Sequence, residues 1–101
     1  MNIIISEETK IALTHLYETL EVAPYVTAEE ILVIGGAFGL GEMSLSELQD
    51  TRNQVVKYCS DIKLDCRAKG DWDEYDLFQN LMSKVECVIN MFAFKLGGQR
   101  G

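Results

Sequence analysis

A chain of 101 residues, 48% apolar and 25% charged, has the composition of one folded core and excludes disorder over most of its length. Its net charge of −7 is lopsided: residues 1–50 hold nine acids against Lys10 alone (−8), and residues 51–101 hold seven acids against eight bases (+1). A phosphate backbone requires a basic surface, so direct nucleic-acid binding through the first half is disfavoured, and the acids suit either a solvated surface that keeps the chain soluble or a basic protein partner.

The stretch from Met1 to Ser6 has no base ahead of its apolar run and is too short for a secretory leader. The longest apolar run, residues 31–40, is roughly half of what a membrane span needs and is broken by glycines. Three cysteines, Cys59, Cys66 and Cys87, occur without C-x-x-C spacing. On a helix, Cys59 and Cys66 stand roughly 10 Å apart, too far for a disulfide. These features predict a cytoplasmic protein with buried, reduced thiols and no membrane association.

Ser6 ahead of Glu7 and Glu8 offers a hydroxyl cap and first-turn acids, predicting a first helix over about residues 7–21. Leu13, Leu16, Tyr17 and Leu20 recur at three and four along it, the spacing of a buried stripe, and His15 lies off that stripe as a surface residue. Pro24 ends the segment. Thr27 with Glu30 forms a capping box, and Val26 and Ile31 take hydrophobic-staple positions. A short helix over 28–38 follows, although Ile31, Val33 and Ile34 would also suit a strand.

Ser44 with Glu47 repeats the box, with Met43 and Leu48 as its staple, and opens a helix over 45–69 that stops at Gly70. Asp71 then caps a helix over 72–96, and residues 97–101 read as a flexible tail. The short turn forces the two long helices into an antiparallel hairpin. Leu45, Leu48, Arg52, Val55, Cys59, Ile62 and Cys66 form the seam of one arm, and Tyr75, Phe78, Met82, Val85, Ile89 and Phe92 that of the other. Arg52 is the odd member, expected to snorkel or to pair with Asp50 or Glu47. The predicted fold class is all-α: a long hairpin packed with two shorter N-terminal helices.

Chemistry-bearing motifs are scarce. Glycines at 35, 36, 39 and 41 do not give G-x-G-x-x-G, and no Lys-Ser/Thr follows as a P-loop requires. They serve better as a helix stop and a close-packing bend. Glu7-Glu8, Glu29-Glu30 and Asp73-Glu74 stand at helix starts, where the macrodipole accounts for them. Asp61 and Asp65 share a helix face with Lys57 and Lys69, which makes a solvated mixed-charge surface a better reading than a metal site. The cations along the first arm (Arg52, Lys57, Lys63, Arg67, Lys69) would hold an anion only if copies were brought together. With one histidine and no nucleophile beside it, the expectation is a non-enzyme without metal or cofactor.

The last helix is apolar nearly all round from Val85 onward, and Leu77, Leu81 and Val88 add a second stripe to its seam. This predicts a homo-oligomer interface of Leu77, Leu81, Val88, Met91, Phe92 and Phe94. The acids Glu18, Glu21, Glu29 and Glu30 form the predicted partner-binding face. The function expected is a non-catalytic interaction module that self-associates through its last helix and presents an acidic half to a protein. Two alternatives are an acidic decoy, similar in composition to small phage-type inhibitors of nucleic-acid enzymes or defence systems, and a small-ligand-binding oligomer. The latter would place its pocket between subunits near the bend at residues 35–41.

Overall fold

The computed structural model describes residues 3–98, and these are all-helical with no strand among them. Helix α1 is Glu7–Thr19, α2 is Ala28–Phe38, α3 is Leu45–Lys69 and α4 is Trp72–Gly98, with a single 3-10 turn at Leu40–Glu42. Residues 99–101 of the expected tail, and Met1 and Asn2 of the apolar arm, lie outside the described residues. Gly97 and Gly98 continue α4 rather than opening a tail.

The boundaries follow the caps. Thr27 Oγ1 accepts from Glu30 N at 3.2 Å while Glu30 Oε1 accepts from Thr27 N at 3.0 Å, closing the box that starts α2 as a helix rather than a strand. Ser44 and Glu47 close the same pair of bonds at 3.2 and 3.0 Å before α3. Asp71 Oδ1 accepts from Glu74 N at 3.3 Å at the head of α4. Helix α1 stops two residues before the expected end. The backbone of Glu21 is claimed elsewhere: its N–H donates to Glu30 Oε2 and its carbonyl accepts from Lys84 Nζ.

Helices α2 and α3 both end on a glycine in the left-handed region, Gly39 at φ 67° and Gly70 at φ 72°. Gly70 allows the chain to reverse within two residues into α4, and its N–H and that of Asp71 bond back to the last turn of α3. Gly70→Ala forces a side chain into that conformation and is expected to cost about 1 kcal/mol. A thermal melt should then fall by roughly 4–8 °C for a domain of this size. An unchanged melt would mean that this turn tolerates a different backbone.

α3 and α4 make the most extensive helix–helix contact. Leu48, Val55 and Cys59 of α3 meet Leu81, Val85, Val88 and Ile89 of α4, and Leu13, Leu16, Ile34 and Leu40 close the core from the N-terminal side. The buried face of α3 is rotated from the expected seam, passing through Thr51 and Gln54. Arg52 therefore stands exposed and pairs across the hairpin with Glu86 at 3.2 Å, not with Asp50 or Glu47. Leu45 and Ile62 are only half-buried. The Gln54 side-chain oxygen accepts from both Ser6 N and Thr9 Oγ1 at 2.9 Å, which pins the start of α1 to α3.

Helix α2 reaches α4 at Gly35, where an added Cβ would stand 3.3 Å from Phe92 Cζ. A glycine there permits the close approach that lets α2 cover this part of α4.

Candidate functional site

The two faces of α4 have different fates. On the inner face, Leu81 is 4% exposed and Val88 fully buried, because α1 and α2 fold across the second apolar stripe. These two residues are core, which corrects the expectation that they lie at an oligomer interface. Phe92 is half-buried, packed on the core cluster and against Gly35, and Leu77 is half-buried as well. Two members of the predicted interface face outward: Met91 at 46% exposure and Phe94 at 80%. They continue along the helix as Ser83, Cys87, Asn90, Met91 and Phe94, and these line one shallow groove together with Glu86. Cys87 is thus exposed, unlike Cys59 and Cys66 and contrary to the expectation of buried thiols throughout. Burial pushes the Cys59 thiol up to about 12, which keeps it protonated and unreactive at neutral pH.

The acidic residues divide in the same way. Glu18, Glu21 and Glu29 are exposed, whereas Glu30 is 6% exposed and its carboxylate is fully engaged. Its Oε1 closes the capping box, and Oε2 accepts from Glu21 N at 3.0 Å and from Lys84 Nζ at 2.8 Å. Glu30 therefore belongs to the interior, not to a partner-binding surface. A capping-box acid has a second oxygen, and here the fold uses it.

Lys84 is the residue that sequence reasoning missed. It is 1% exposed in the middle of α4, and it donates to Glu21 O at 2.7 Å as well as to Glu30. This one side chain ties α4 to the start of α2 and to the α1–α2 connection. Burial alone would push the Glu30 carboxyl up, but the bonds from Lys84 and from the Thr27 and Glu21 amides outweigh it and hold the group below its ordinary value. The signal was present in the sequence: Leu77, Leu81, Lys84 and Val88 are spaced four, three and four, which puts the lysine on a buried stripe.

Beside the pair is a partly enclosed cavity of about 230 Å³ between the end of α1, the α1–α2 connection and α4. A hollow of about 240 Å³ within the single chain is walled by Leu40, Gly41, Met43, Phe92, Lys95 and Leu96. The cations of α3 are mostly occupied: Lys57 pairs with Asp61 at 3.0 Å, Lys69 with Asp65 at 2.9 Å, and Lys63 donates to Gln79. The two aspartates are therefore held in intrahelical pairs, and no group of three metal-ligating side chains occurs among the described residues. His15 is exposed on α1 beside Ile11 and Glu18. No described helix is long and apolar enough to cross a membrane.

The fold and these surfaces define the chain as a small four-helix all-α protein with an extended α3–α4 hairpin. No family model matches it, and neither a curated protein nor a solved structure does.

Proposed function

We propose that the chain is a non-catalytic interaction module that pairs with a second copy of itself through the outer face of α4 and presents acids of α1 and α2 to a basic protein. The observation that carries this reading is Phe94, 80% exposed beside Met91 on a stripe whose members carry no formal charge. A chain with a net charge of −7 repels its own copy, chiefly through the acidic residues 1–50. The stripe of Ser83, Cys87, Asn90, Met91 and Phe94 escapes that repulsion, and neighbouring Glu86 is already paired with Arg52. Small side chains occupy one end of the stripe and large ones the other. Two copies set antiparallel about a two-fold axis bring Phe94 over Ser83 of the partner subunit, and the reverse, as an isologous interface requires. Exposed Ile11, at 67%, lies between Glu7 and Glu18 and suits a basic partner segment that also carries an apolar side chain. In a reducing cytoplasm Cys87 stays a thiol within the pairing face.

Sedimentation velocity over a wide concentration range tests this. The wild-type chain should sediment as a dimer, and Phe94→Glu should weaken association at least roughly thirtyfold, the effect of losing a hot-spot side chain. Its thermal melt should stay near that of the wild-type monomer. A wild-type chain that remains monomeric at every concentration removes the proposal.

A further inference from the structure

We infer that the groove near the tip of the α3–α4 hairpin is a docking site for a short acidic protein segment that carries an apolar side chain among its acids. The groove, a hollow of about 240 Å³, is lined by Ser60, Lys63, Leu64, Arg67 and Tyr75. It shares no residue with the outer stripe of α4 and does not depend on pairing. Its charge sets it apart from the rest of the chain. Lys10, Arg52, Lys57, Lys69 and Lys84 each pair with a carboxylate of this chain, whereas Lys63 and Arg67 pair with none among the described residues. Acids near the tip are held elsewhere: Asp61 by Lys57, Asp65 by Lys69, Asp71 at the head of α4 and Glu74 by the Tyr17 hydroxyl. Lys63 instead donates to the neutral Gln79 side chain, with its ammonium 5.1 Å from the centre of the Tyr75 ring. Two cations without counter-charges therefore line one groove of a chain whose net charge is −7.

The same groove offers apolar contact. Leu64 is 62% exposed, and Trp72, 54% exposed, meets Tyr75 edge-on at 5.3 Å between ring centres. Trp, Tyr and Arg are the residues that most often dominate binding energy at protein interfaces. Carboxylates of the partner suit Lys63 and Arg67, the Arg67 fork by a bidentate pair, and an apolar side chain between them covers Leu64 and the Trp72 ring. Exposed ion pairs alone are worth little, so the apolar contact supplies most of the affinity and the charges supply selection. A nucleic acid is disfavoured on both grounds. Two cations are too few to hold a phosphate backbone against a net charge of −7, and a sugar–phosphate chain brings no aliphatic side chain to cover Leu64.

Trp72 is the one tryptophan of the chain, so its fluorescence reports on the groove directly. The intact chain is titrated with three acetylated, amidated peptides: Glu-Asp-Leu-Phe-Glu-Asp, Glu-Asp-Ser-Ser-Glu-Asp and Lys-Lys-Leu-Phe-Lys-Lys. The first should shift the emission saturably, and the second should bind at least about tenfold more weakly for want of the apolar pair. The basic peptide should leave the emission unchanged. Arg67→Glu, at an exposed helical position, should keep the fold and weaken the first peptide about tenfold or more. No saturable shift with the first peptide, equal affinity for the first two, a shift with the basic one, unchanged affinity in Arg67→Glu, or tighter binding of a short thymidine oligonucleotide would each overturn the assignment. So would an emission shift that grows with protein concentration alone and is lost in Arg67→Glu, which would make a second copy the occupant.

Discussion

Lys84→Met is expected to lower the free energy of unfolding by roughly 3–5 kcal/mol, because it leaves a buried carboxylate without its counter-charge. Glu30 then keeps the bonds from the Thr27 and Glu21 amides, but the Glu21 carbonyl loses its buried donor. A loss of that size is a large share of the 5–15 kcal/mol typical of a domain, so a urea transition should shift well below that of the wild type. Combining Lys84→Met with Glu30→Gln removes both charges, and the double variant should be more stable than the sum of the single losses implies. Strict additivity would show that the two side chains do not act as a pair.

The same pair sets a pH dependence whose sign is fixed. The folded-state pKa of Glu30 is lowered, so its contribution is fully present above the unfolded value of about 4.3 and is lost as pH falls through the lower folded value. Glu47, held below its ordinary value by the Ser44 amide and hydroxyl, adds a trend of the same sign at the surface. Stability measured between pH 7 and pH 3 should therefore fall at the acid end in the wild type. It should fall less in Lys84→Met, which keeps the Glu47 cap and loses the main partner of Glu30.

Phe92→Glu and Phe94→Glu, two residues apart on one helix, are expected to have opposite consequences. Phe92 packs on the core cluster and against Gly35, so the substitution removes a packed ring and puts a charge in its place. Removing a fully buried ring costs about 3–5 kcal/mol and this half-buried one roughly half of that, so the melt of Phe92→Glu should fall well below that of the wild type. Phe94 is 80% exposed, and its replacement should leave the monomer within about 0.5 kcal/mol of the wild type. A Phe92→Glu melt equal to that of the wild type would contradict the placement of α2 against α4.

These contrasts show which parts of the molecule were legible in its sequence. Helix starts were legible because Ser6, Thr27, Ser44 and Asp71 cap through local bonds that need no tertiary partner. The periodicity of α4 showed that two of its faces are apolar, but not what covers each. Covering the second stripe depends on how α1 and α2 dock, and that rests on details such as the close approach at Gly35. Periodicity alone therefore suits Leu81 and Val88 to an interface, whereas the fold makes them core. The capping box explains one oxygen of Glu30 and conceals the use of the other, so the sequence alone reads this buried residue as part of the acidic surface. Lys84 was readable as a charge on a buried stripe, although its acceptors, at sequence separations of 63 and 54 residues, were not.

Self-association through the outer face of α4 is tested most directly by isotope-filtered NMR on a mixture of labelled and unlabelled chains, which detects contacts between copies alone. The expected result is a set of intermolecular contacts from the Phe94 ring to Ser83 and Cys87 of the partner subunit, and from the Met91 methyl to the partner's Cys87 and Asn90. Intermolecular contacts confined to another surface, such as that around Ile11 or Leu32, would contradict the proposal, as would no contact between copies at millimolar concentration.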